Sequence, residues 1–312
     1  MSLLKRYIPV PFPTYQLDYD ASIKKYFMDI HDMFIDSGFI KSNTINNMDF
    51  DNITSVDIDR ISAGNEISPS YIEFDYNDTM QSLLGIRIRI EFGTYKHSTT
   101  PSYGLYTFFR VTVGIIDEVS NTMIQSVSFV SNVPNNMSTN KIKDYVSHYD
   151  SQLESFILSN GNITAFCFTP QYAEDASSSY TYKSPRIEFI VNRVDDKTIN
   201  VYASTDSSSN GGSIYNYVIS KVESTSTRSF YMYRSLPSCM SEGKLVIFPV
   251  FENDSMLNLT QSDHIVLCKK TAVNTGDIIQ LKINNTLTKN FIAMTSDSIT
   301  VSGDSRLLVR VD

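Results

Sequence analysis

The residues of this 312-residue chain that could carry chemistry are few. His31, His97, His148 and His264 show no HxxxH or HxH spacing. A zinc site needs four converging nitrogen or sulfur ligands, so no metal is expected. Cys167 and Cys268 sit inside the apolar runs AFCF and HIVLCKK and read as small core hydrophobes, with Cys239 as the odd third thiol. Widely spaced and odd in number, the thiols point to a chain made in a reducing compartment without reliance on disulfides. No GxSxG, GxxxxGK[ST] or strand-following GxGxxG occurs, and only 12 glycines are available for a loop that could cradle phosphate. A carboxylate pair for glycoside hydrolysis comes together only in a fold, and no segment favours that chemistry over surface acids. Asp57 and Asp59 lack the Gly and terminal Glu of an EF-hand loop, so the acid-rich stretch 41–82 reads as a solvated face. Asn-x-Ser/Thr triplets, among them Asn52, Asn77, Asn136, Asn162, Asn258 and Asn284, follow from a composition rich in Asn, Ser and Thr. No reaction is written in these residues. The expectation is a protein that is not an enzyme and needs no cofactor.

Charge narrows the partners. The net charge is −8, no Lys/Arg run exceeds two residues, and a basic stripe for nucleic acid is missing, so direct nucleic-acid binding is not expected. No apolar run approaches the ~20 residues of a membrane helix, so no membrane insertion is expected. Pro9, Pro11 and Pro13 follow the basic pair Lys5-Arg6 and prevent the helical core of a signal peptide, so a signal-directed route is not expected either. Charged residues are only 19% while aromatics reach 12%, with 19 Tyr, 18 Phe and no Trp. That apolar area can offset the entropy of ordering, which argues for a folded core.

The elements that would position any site are mostly strands. Residues 1–19 read as an extended, proline-stiffened arm whose Leu3, Leu4, Ile8, Val10 and Phe12 are candidate subunit-interface residues. Ile23, Tyr26, Phe27, Ile30, Met33 and Phe34 form one apolar stripe at helical spacing, predicting a helix over 20–37 that stops at Gly38, with His31 on its polar side. Beyond Asp49 the period becomes two. In GIRIRIEF (85–92), Ile86, Ile88, Ile90 and Phe92 face one way and Arg87, Arg89 and Glu91 the other. Further strands are expected at 71–76, 105–116, 123–130, 163–168, 186–194, 198–204, 213–222, 228–235, 244–251, 264–270, 277–283, 290–296 and 305–311, with a two-residue turn at Asp195-Asp196. A turn or two of helix is expected near 140–149, with exposed polar loops at 172–184 and 205–212. Strands at this spacing without alternating helices predict an all-β fold, an antiparallel β-sandwich of jelly-roll or lectin-like type with one N-terminal amphipathic helix. The expected organisation is an arm plus helix over 1–60 and a β-sandwich over 61–312, with room for two packed β subdomains.

Three segments resemble tailed-bacteriophage virion structural proteins of the β-rich tail or baseplate type. They are YIEFDYND (71–78) with LLGIRIRIEFG (83–93) and LYTFFRVTVGIIDE (105–118), then PRIEFIVNRVDDKTINVYAST (185–205), then FIAMTSDSITVSGDSRLLVRVD (291–312). The resemblance covers about residues 60–312, carries no catalytic motif, and departs where TYKHSTTPSY replaces a glycine-bearing loop. It implies a structural subunit of a phage virion, of the tail or baseplate, acting through protein–protein contacts in a symmetric homo-oligomer. Other virion proteins would be its partners, and the host cytoplasm its place of synthesis. The alternatives are a carbohydrate-binding, receptor-binding lectin-like module and a capsid decoration or head-fibre protein.

Overall fold

A computed structural model describes residues 2–6, 19–42, 60–62, 71–76, 84–96, 105–117, 119–130, 155–160, 162–168, 187–205, 213–221, 224–225, 247–253, 259–269, 273–274, 276–282, 287–294 and 305–312. The expected strand at 228–235, the helical turns near 140–149, the loops 172–184 and 206–212, and Asp57, Asp59, His97, His148 and Cys239 lie outside these residues.

Alternating side chains sort the strands into three sheets. The first combines β2 (Phe39–Lys41), β4 (Tyr71–Tyr76), β5 (Ile86–Lys96), β6 (Leu105–Asp117) and β7 (Thr122–Val130), with β3 (Arg60–Ser62) parallel to β5. The second runs β1 (Ser2–Arg6), β8 (Ser155–Asn160), β9 (Ile163–Phe168), β10 (Ile187–Arg193), β11 (Thr198–Thr205), β12 (Ser213–Ser220) and β13 (Ser224–Thr225). The third has β14 (Ile247–Asn253), β15 (Leu259–Lys269), β16 (Ile278–Lys282), β17 (Thr288–Ala293) and β18 (Ser305–Arg310) in the order β14-β15-β18-β17-β16. From β8 to β13 and from β4 to β7 the chain meanders; β15 beside β18 makes a Greek key of the third sheet.

The second sheet is the middle layer, and its two faces are both apolar. Phe166, Phe189, Val191, Val201 and Ala203 join the core shared with the first sheet, while Ala165, Cys167, Ile190 and Tyr202 join the core shared with the third. Burial on both sides explains why ITAFCF and IEFIV read as continuous apolar runs rather than clean alternation. The all-β sandwich with one helix is the observed fold. It has three sheet layers, because the middle sheet is apolar on both faces and each face needs a cover.

The helix α1 (Tyr19–Asp36) lies within a residue of its expected bounds. Phe27, Ile30, Met33 and Phe34 are fully buried in the first core. Phe34 stacks on Phe74 at 4.7 Å between centroids and meets Phe39 edge-on at 5.2 Å. Gly38, at φ +100°, ends the helix in the left-handed region where a Cβ is disfavoured.

Two details differ from the expectation. The β10–β11 turn has three residues, Asp195, Asp196 and Lys197, because Val194 N–H donates to Thr198 O (3.1 Å) and Asp195 Oδ1 accepts from Lys197 N–H (2.8 Å). The N-terminal residues 2–6 are extended, as expected of the arm, but pair antiparallel with the chain's own β8. Leu4 packs on the first core and Leu3 on the second. As part of a strand of the middle sheet, Leu3 and Leu4 place apolar surface in their own subunit. Ile8, Val10 and Phe12 lie outside the described residues.

Candidate functional site

The outer face of the first sheet carries the densest set of charged side chains among the described residues. Period-two geometry puts Ile72, Phe74, Ile86, Ile88 and Ile90 on the core side, which forces Glu73, Asp75, Arg87, Arg89 and Glu91 to the other. The antiparallel register then sets each acid opposite an arginine: Asp75 faces Arg87, Glu73 faces Arg89, and Glu91 faces Arg110 of β6.

Arg87 is the hub. Its side chain is only 1% exposed, and Asp75 accepts two of its hydrogen bonds, from Nε at 2.6 Å and Nη2 at 2.8 Å. Its remaining donors reach the turn between β6 and β7, with Nη1 to Asn121 O and Nη2 to Asn121 Oδ1, both 2.8 Å. The hydrogen-bonded Asp75 carboxylate raises the Arg87 pKa above its ordinary value. Glu73 is also 1% exposed; Oε1 accepts from Arg89 Nε at 2.7 Å, while Oε2 has Arg87 Nη1 at 3.6 Å and no hydrogen bond. Arg89 lies over the Tyr71 ring, 4.2 Å from its centroid. Glu91 and Arg110 pair at 3.3 Å, and Thr112 and Ser128 hydroxyls at 2.7 Å extend the array to β7.

Three acids and three arginines cancel within this array. Arginine stays protonated throughout the working pH range, so the three guanidiniums are fixed cations in the array. What it does is mechanical. A one-residue slip of β4 on β5 would drive these charges into the core, so the ladder locks the register. Arg87 also ties the β6–β7 turn to β5. Asp117 braces the same turn by accepting from Val119 N–H (3.3 Å), Ser120 N–H (3.1 Å) and Ser120 Oγ–H (2.6 Å), which lowers its pKa. Asn121 sits at φ +52°, which Asn tolerates better than most residues. The sequence reading separates Arg87, Arg89 and Glu91 from the core face but passes over Asp117 and Asn121. Their signal is an acid closing an apolar strand and followed by Ser-Asn.

A second polar group lies on the third sheet. β14 and β15 change register so that Pro249 faces Val266 while Phe251 faces Gln261. The extra residues of β15 form a bulge in which Ser262 Oγ accepts from His264 N–H (3.3 Å) and Ile265 N–H (3.2 Å). Burial, and then the nearby Arg310 charge, push the His264 pKa down, and its Nδ1 is buried without a hydrogen bond. Arg310 Nε donates to Asp312 Oδ1 at 3.1 Å, while Asp312 Oδ2 accepts from Asn290 N–H at 2.9 Å. Among the described residues no hydrogen bond orients the His264 ring through Nδ1, the contact a triad's third group would make.

His31 is half-buried rather than on an open polar face, with Nδ1 2.9 Å from Asp32 Oδ1 and its ring 5.8 Å from Phe74. Cys167 and Cys268 are buried in the apolar layers, the place expected for them. Among the described residues no group of three His, Cys, Asp or Glu could hold a metal ion, and no helix is long and apolar enough to cross a membrane. Compared with protein-family models, with curated proteins and with solved structures, the chain has no match.

Proposed function

We propose that the protein is a structural subunit of a phage virion, of the tail or baseplate kind, working through protein–protein contacts in a symmetric assembly. One observation carries the reading. The segments whose pattern resembles phage virion proteins fall on β4–β6, on β10–β11 and on β17–β18, so the resemblance follows one spine of strands in each of the three layers. The ladder adds to it, because its charges are paired inside the subunit and brace the sheet. A rigid body with register-locked sheets suits a part that repeats in an assembly and carries load.

Negative-stain microscopy and mass photometry of the purified chain test this proposal. Rings or other closed oligomers are the expected result. A strict monomer that binds a glycan array would replace the proposal with a lectin-like, receptor-binding module.

A further inference from the structure

Sheet edges show where a β-protein accepts another chain, since an edge strand offers a row of unpaired backbone groups. Natural edges are blunted by shortness, charge or proline. β1 has Lys5 and Arg6, β2 has three residues including Lys41, and β3 has three including Arg60. β13 has two residues, β14 contains Pro249 and Glu252, and β16 is a five-residue strand ending in Lys282. Among the described residues β7 is the edge with neither shortness, charge nor proline: nine residues, TMIQSVSFV, blunted only by a register shift at Ile124 near its start.

The surroundings of β7 present it to a partner. Ile124 is 44% exposed, and Ser126 and Ser128 lie on the same open face. The turn leading into the strand is held by Arg87 and Asp117, yet it carries Val119 at 96% exposure. A buried arginine and a braced turn thus hold an apolar side chain in water. An isolated exposed valine needs no explanation, but one fixed at the entrance to a long uncharged edge does.

We propose that β7 pairs with β7 of a second copy, antiparallel across a two-fold axis, joining the first sheets of two subunits. The occupant follows from charge. Each subunit carries −8, so copies repel except where the contact is neutral, and β7 can face itself with no like charges opposed. Pairing centred on Ser126 sets Gln125 against Val127 and Ile124 against Ser128. Val127 and Phe129, beyond the register shift that turns Met123 to the open face, then extend the core face, and hydroxyls stay on the open face. This contact rests on the self-association in the proposed function and not on a phage origin.

The test compares two double variants at exposed positions, I124K/S126K and I124D/S126D, with the wild-type chain. The readouts are mass by size-exclusion chromatography with light scattering, and folding by circular dichroism. The expected result is a wild-type dimer or larger oligomer, folded variants that each have a reduced mass alone, and recovery of the wild-type mass when the two variants are mixed. Variants that keep the wild-type mass overturn the β7 contact and leave symmetric assembly standing, and so does loss of mass without recovery on mixing. A wild-type chain that is monomeric at its highest soluble concentration overturns both.

Discussion

Arg87 is a guanidinium almost without water, so every donor it owns must find an acceptor in the protein. Asp75, Glu73 and Asn121 together supply that environment. Removing the cation leaves Asp75 without its hydrogen-bonded partner and takes from the buried Glu73 one of the two arginines beside it. Arg87→Ala is therefore expected to cost about 3–5 kcal/mol in urea unfolding. Arg110→Ala, which breaks a pair one-third open to solvent on the arginine side, is expected to cost about 0–1 kcal/mol. Equal losses would show that burial of the ladder does not set its weight. His264 gives a pH signature. Its folded pKa is lowered, so the unfolded chain binds its proton first as pH falls. The stability it contributes is present above the ordinary value near 6.5 and is lost as pH drops from there toward the lower folded pKa. Denaturation midpoints measured down through this window should fall more steeply for the wild type than for His264→Gln, and parallel curves would refute the assignment.

At the scale of elements, β6 and β7 depend on a glycine for closeness. A Cβ on Gly114 would lie 2.5 Å from Gln125 O and 2.5 Å from Met123 Cγ. Met123 can swing aside, but the carbonyl belongs to the strand pairing and cannot. Gly114→Ala is expected to cost about 1–3 kcal/mol, the range for overpacking, read as a lower denaturation midpoint with unchanged slope. The helix depends on one ring in the same way. Phe34 touches Phe39, Phe74 and Phe166, residues from the first two sheets. Phe34→Ala should remove about 3–5 kcal/mol. A loss below about 1 kcal/mol would mean that the helix does not bind the two layers together, since even partial collapse of so large a cavity costs more.

The whole molecule is knit by contacts that run far along the chain. Lys5 Nζ donates to Gly276 O at 2.7 Å, Arg6 pairs with Asp36, and Arg193 Nε donates to Leu84 O at 3.0 Å. These tie the first strand to the third sheet and to the helix, and the middle sheet to the first. Residues 2–6 therefore act as structure rather than as a free arm. Deleting them is expected to bare the β8 edge and lower the melting temperature in differential scanning calorimetry, with aggregation on heating. A truncated chain that melts like the full one would restore the arm to a purely external role.

How far the sequence alone determines this protein depends on whether a feature is local. Helix 19–36, the alternation of Ile86, Ile88 and Ile90 with Arg87 and Arg89, and the core placement of Cys167 were legible because periodicity and burial follow from neighbouring residues. β1, β2 and β8 were not read as strands. SLLKR and FIK are too short to show a period, and SFILSN is a doubly buried run that periodicity cannot tell from a helix. The candidate site divides along the same line. The sequence determined that Arg87 and Arg89 share a face away from the isoleucines. Only the tertiary structure decided that Asp75 and Glu73 meet them, that Asn121 receives the last donors of Arg87, and that β7 is left as the open edge. Pairing partners and sheet edges are set by long-range register, which a strand's own residues allow but do not choose.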